Sequence, residues 1–138
     1  MPASPAQLKT LKAAARKASQ QAYAPYSKFK VGAAILTQSG NVYTGCNVEN
    51  ASYGLCNCAE RTAIFNAVAA GEKKLKIACV AIYTPMPEPT APCGACRQVI
   101  NEFGPNARIV STCRGRSVLD TTLDQLLPNA FGPENLSK

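Results

Sequence analysis

The sequence contains no histidine and no tryptophan among its 138 residues. The missing histidine is the more restrictive absence, because it removes the commonest proton-transfer group near neutrality and the commonest metal ligand. A general acid or base must then be Glu, Asp, Lys, Tyr or Cys. A metal would have to be held by thiolates or carboxylates. Long apolar runs are missing too. No stretch approaches the roughly 20 apolar residues that a membrane-spanning helix needs, and residues 1–21 lack the apolar centre of a secretory leader. No membrane partner and a cytoplasmic location are the expectation. Acidic residues are scarce, 8 against 15 basic ones, for a net charge of +7. Such a surplus can serve nucleic-acid binding. Here Lys9, Lys12 and Lys17 fall on an N-terminal helix and Lys73, Lys74 and Lys76 at a helix end. No aromatic residue is interleaved with either group, as stacking on bases requires. The surplus reads as a solvated surface, with no nucleic-acid partner.

What is present is a chain of ordinary globular composition, long enough for one domain spanning 1–138. Leu8, Leu11, Ala15 and Ala18 at helical spacing predict a helix over 5–22, broken by Ala24-Pro25. Two β-rich runs, Val31 to Thr37 and Val42 to Asn47, flank the turn signal Gln38-Ser39-Gly40-Asn41. An alanine-rich helix over 58–70 ends at Gly71. Ile77 to Tyr83 is a buried strand, and a proline-rich loop leads to a helix at 94–103. Ala107 to Thr112 and Val118-Leu119 are further strands, followed by a helical turn from Leu123 to Leu127 that stops at Pro128. This order predicts a layered α/β domain with a mixed sheet.

Seven cysteines, an odd number, fit metal or thiol chemistry better than a disulfide framework. Cys58 opens one predicted helix, and the pair Cys93 and Cys96 opens another. A C-x-x-C pair at a helix start turns both sulfurs to one point, and the helix dipole favours thiolates there. Cys58 supplies a third ligand, which leaves a tetrahedral zinc one open position, the mark of a catalytic site. Glu60, two residues past Cys58, is the best acid–base candidate in a chain without histidine. Arg61 is placed to offset the negative charge that three thiolates concentrate on the metal. The alternative is a closed, inert site in which Cys56 is the fourth thiolate. Cys46, Cys79 and Cys113 lie in apolar runs and read as core residues.

The segments Cys58-Ala59-Glu60-Arg61-Thr62-Ala63 and Pro92-Cys93-Gly94-Ala95-Cys96-Arg97-Gln98 together resemble the three-cysteine, homotetrameric zinc cytidine deaminases, and the similarity runs from about Tyr23 to Leu136. The general signature of zinc deaminases is well defined. The resemblance implies a three-layer α/β/α fold with a mixed sheet of about five strands. It implies one zinc per chain on Cys58, Cys93 and Cys96, with Glu60 as the proton carrier and Arg61 neutralising the thiolates. It implies a nucleoside substrate, with Asn47 and Glu49 gripping the sugar, and Phe29 and the backbone of Ala59 meeting the base. Tyr53 becomes a subunit contact, and Phe131 reaches a neighbouring subunit's pocket in a homotetramer. The expected reaction is hydrolytic deamination of cytidine and deoxycytidine to uridine and deoxyuridine, a step of pyrimidine salvage. The rivals are a deaminase of a modified or antibiotic cytosine nucleoside, a polynucleotide-editing deaminase, and a non-catalytic zinc-stabilised module. Two features depart from the family: the extra thiol at Cys56, and the basic turn Arg114-Gly115-Arg116.

Overall fold

A computed structural model describes residues 2–136. Helix α1 (Pro5–Ser19) starts on a capping box: the Ser4 hydroxyl accepts from the Gln7 N–H, and the Gln7 side chain accepts from the Ser4 N–H. It ends three residues before the predicted boundary. Gln20, Gln21 and Ala22 each donate to a carbonyl three residues back, which tightens the last turn. The Tyr23 N–H then bonds to the Asn47 carbonyl and pulls the chain away.

Strands β1 (Gly32–Thr37) and β2 (Val42–Cys46) form the expected hairpin. A short 3-10 turn at Tyr53–Leu55, which the sequence pattern did not signal, leads into α2 (Ala59–Ala69). Gly71, at φ +87, closes α2 as anticipated. Gly71 donates to the Val68 carbonyl and Glu72 to that of Ala67, the paired bonds of a Schellman cap. β3 (Ile77–Tyr83), α3 (Gly94–Phe103) and β4 (Arg108–Thr112) follow. β5 (Leu119–Thr122) and the single-turn α4 (Leu123–Leu126) come next, and a second 3-10 turn spans Pro133–Asn135.

The sheet order is β2-β1-β3-β4-β5. Only β3 and β4 run parallel, joined by the α3 crossover, so the sheet is mixed. Alternation along the strands divides the core in two. Ala34, Leu36, Cys79, Ala81 and Tyr83 pack on Leu11 and Ala15 of α1. Ala33, Ile35, Val80, Ile82 and Ile109 pack against Ile64 of α2 and Ile100 of α3. The result is the expected three layers. Cys79 and Cys113 are buried, but Cys46, at the end of edge strand β2, is only half-buried. Its position leaves one side uncovered by another strand.

One close approach positions the site. A Cβ added at Gly45 in β2 would run into the backbone of Ala59 and Ala63. Glycine therefore lets the first turn of α2 settle directly on the sheet. Among the described residues, no helix is long and apolar enough to cross a membrane.

Candidate active site

Cys58 is the N-cap of α2, and Cys93 is the N-cap of α3. Cys96 is one turn into α3 and fully buried. The two helix starts face each other, and the Cys58 and Cys93 sulfurs lie 3.7 Å apart. All three sulfurs fall within 4.8 Å of one another. Zinc bound by thiolates at about 2.3 Å in a tetrahedron separates its sulfurs by roughly 3.8 Å. The three thiols therefore fit zinc in both chemistry and spacing.

The surroundings favour thiolate. The Arg61 guanidinium donates from Nη2 to the Cys58 sulfur at 3.2 Å. The Cys58 thiol is brought down to about 5, first by the hydrogen bond from Cys96, with Arg61 and Cys93 adding to it against the effect of burial. Cys96 moves the opposite way, raised by that same bond and by burial. Cys56 is outside this group: its thiol lies against the backbone of Asn50, 3.3 Å from the N–H and 3.6 Å from the carbonyl. The closed four-thiolate arrangement is not what the chain builds.

Glu60, in the first turn of α2, is only 5% exposed. Burial pushes its carboxyl up to about 7, and the neighbouring Cys58 adds to the shift. Cys58, Ala59, Glu60 and Cys93 share a cavity of about 210 Å³ with Phe29, Val31, Asn47, Ile82, Thr84, Thr90 and Ala91. It opens beside the carboxyl end of β3, next to the β3–α3 crossover, a common place for ligands in α/β sheets. A larger hollow of about 290 Å³ at the other end of β3, near Lys76 and Phe103, holds no comparable cluster among the described residues.

Asn47 and Glu49 do not line the same space. Asn47 faces the cavity with the cysteines. Its Oδ1 accepts from the Val31 N–H at 2.8 Å and its Nδ2 donates to the Phe29 carbonyl at 2.7 Å. The amide therefore fixes the Phe29 loop and keeps one N–H and one lone pair free. Glu49 lines a separate hollow with Tyr26, Ser27, Tyr53 and Cys56. It accepts from the Tyr26 and Ser27 N–H groups at 3.0 and 3.2 Å, and from the Ser27 hydroxyl. The Ser27 hydroxyl is the main cause that holds its carboxyl below the usual range. Tyr53 is 73% exposed and Phe131 59% exposed, and neither lines the cysteine cavity of its own chain.

Sequence reasoning missed several contributors. Arg97, quoted as part of a motif and given no role, donates to the carbonyls of Pro92 and Leu126 at 2.8 and 2.9 Å. It ties the Cys93 loop to the C-terminal segment. Thr84, Thr90 and Ala91 wall the cavity from a loop in which prolines were the only legible signal.

A mixed α/β sheet that turns two helix starts on one point, with three thiols there and a buried carboxyl beside them, defines a zinc-dependent hydrolase centre. Residues 5–112 match the family described as the cytidine and deoxycytidylate deaminase zinc-binding region. A cytidine deaminase of Sporosarcina psychrophila is 48% identical over 127 residues, 91% of each chain. A probable cytidine deaminase of Dictyostelium discoideum is 46% identical over 89% of this chain and 82% of its own. The crystal structure of cytidine deaminase from Burkholderia pseudomallei superposes with a TM-score of 0.85 at 54% identity, covering 89% of this chain and 98% of that one. This chain belongs to the zinc-binding cytidine and deoxycytidylate deaminase family.

Proposed function

We infer that this chain deaminates cytidine and deoxycytidine hydrolytically, releasing ammonia and leaving uridine and deoxyuridine. The observation that carries the reading is the placement of buried Glu60 beside Cys58, Cys93 and Cys96 in one cavity. Zinc, when held by the three thiolates, supplies the Lewis acidity that makes water a nucleophile near neutral pH. Glu60 takes a proton from the attacking water and passes it to ring N3 as C4 is attacked; it then takes the proton of the new C4 hydroxyl and delivers it to the departing amine, so that ammonia leaves as the C4 carbonyl forms. Arg61 shares the Cys58 sulfur and limits the negative charge on the thiolates. The Ala59 backbone, at the start of α2, contacts the base. Phe29 lines the cavity and packs against the base. Asn47 reaches the sugar with its remaining capacity, and Glu49 accepts from a sugar hydroxyl.

The working unit is a homotetramer of single-domain chains, in which Tyr53 makes a subunit contact and Phe131 enters a neighbour's pocket. The cavity supports this, since about 210 Å³ falls short of the roughly 300–1,000 Å³ of a complete small-ligand pocket. The cytoplasm suits three cysteines that must stay reduced. Kinetics on cytidine, deoxycytidine and free cytosine, followed by ultraviolet absorbance, test the substrate. Both nucleosides should turn over, and cytosine should fall behind by orders of magnitude in kcat/KM, because it forfeits the binding energy of the sugar. Equal efficiency on cytosine would remove the sugar-binding roles of Asn47 and Glu49.

A further inference from the structure

Helix α3 presents, after its two cysteines, a row of polar side chains that the chemistry above does not use. Gln98 Nε2 donates to the Phe131 carbonyl at 2.8 Å, and Asn101 Nδ2 donates to the same oxygen at 3.2 Å. Two donors saturate a carbonyl that has two lone pairs. Asn101 is only 6% exposed, so the chain commits a buried amide to this one backbone oxygen. The flanks are held as well. Arg97 holds the Leu126 carbonyl, and the Gly132 N–H donates to Asn135 Oδ1 at 2.8 Å. The fit at Gly132 is tight, since an added Cβ would lie 2.9 Å from Asn101 Nδ2. The residue so fixed is a phenylalanine left 59% exposed.

We propose that Gln98 and Asn101 are positioning residues that hold the Phe131 backbone on α3, and so set where its ring meets the nucleoside in an adjoining copy's pocket. The inference rests on the reading of Phe131 given above. One helix then serves two sites: its first turn carries two metal ligands of its own centre, and its next turn aims a binding group at the neighbour's.

The experiment is a double-mutant cycle on the zinc-loaded enzyme. Gln98→Ala, Asn101→Leu, Phe131→Ala and the doubles with Phe131→Ala are compared for zinc content, mass by light scattering, and kcat and KM for cytidine. Gln98 is exposed, so its truncation leaves the fold intact and decides the matter even if Asn101→Leu does not fold. Either single change should raise KM by about three- to ten-fold, the scale of one lost hydrogen bond, with kcat within about two-fold. Zinc and mass should not change. Each double should be no worse than Phe131→Ala alone, because the amides act through that ring. A merely structural role would lower the melting temperature and leave KM alone. Unchanged KM in Gln98→Ala beside a raised KM in Phe131→Ala overturns this inference and spares the reading of Phe131. Effects that add in the doubles overturn it too. Unchanged KM in Phe131→Ala overturns both.

Discussion

In the proposed reaction Glu60 has the most to carry, because no histidine is available to share proton transfer. Its burial excludes competing water and places the carboxyl in the cavity with the thiols. Glu60→Ala should keep fold and zinc while turnover falls by about 10²–10⁴-fold or more, since general acid–base groups contribute on that scale. A loss of only a few-fold in steady-state assays would end its assignment. The cysteines make a second prediction. Serine at Cys58, Cys93 or Cys96 should strip most of the zinc, whereas Cys56→Ala should retain one metal per chain by elemental analysis. The reason is that the Cys56 thiol is spent on Asn50. Within each motif these residues were legible because short spacing at a helix start sets where the side chains point; that Cys58 meets Cys93, 35 residues on, was implied by the family resemblance and is decided by the fold. The roles of Gln98, Asn101 and the Asn47 amide were not legible. Their partners are backbone groups 16 to 33 residues away, brought close only when the sheet and α3 are in place.

At the scale of elements, the contact of α2 with β2 is the one that bears on chemistry. Gly45→Ala should cost about 1–3 kcal/mol, the usual range for overpacking. It should also lower kcat, because the turn it displaces carries Cys58, Glu60 and Arg61. Ser4→Ala is the contrast. Loss of the α1 cap should cost about 0.5–2 kcal/mol in thermal unfolding and leave kinetics unchanged, since α1 packs on the face of the sheet away from the cavity. Equal kinetic effects of the two changes would argue that Gly45 acts through stability alone. Element type and order followed from hydrophobic period and glycine–proline punctuation. Boundaries moved where tertiary bonds competed, as at the end of α1, where Tyr23 pairs with Asn47.

At the scale of the molecule, Tyr53, Leu55, Phe65, Val68 and Phe131 are each at least half exposed on the single chain. These are the large apolar side chains that the proposed tetramer would cover. Light scattering should find a tetramer, and Phe131→Ala should weaken substrate binding. A monomer that turns over cytidine at the full rate would contradict the shared site.

The sequence by itself determined the chemistry. Absent histidine narrowed the metal ligands to thiolates or carboxylates, and two short motifs placed three cysteines and a glutamate at helix starts, where backbone dipoles favour anions. It also determined the layers, because strand alternation and helical spacing are periodic and local. The tertiary structure decided which side chains share a space. It separated Glu49 from Asn47 into different hollows, although alternation along a strand would have paired them. The reason is the backbone that each side chain serves. Asn47 is drawn to Phe29 and Val31, and Glu49 to Tyr26 and Ser27. Such long-range hydrogen bonds depend on how loops lie across the finished sheet, which no local pattern encodes.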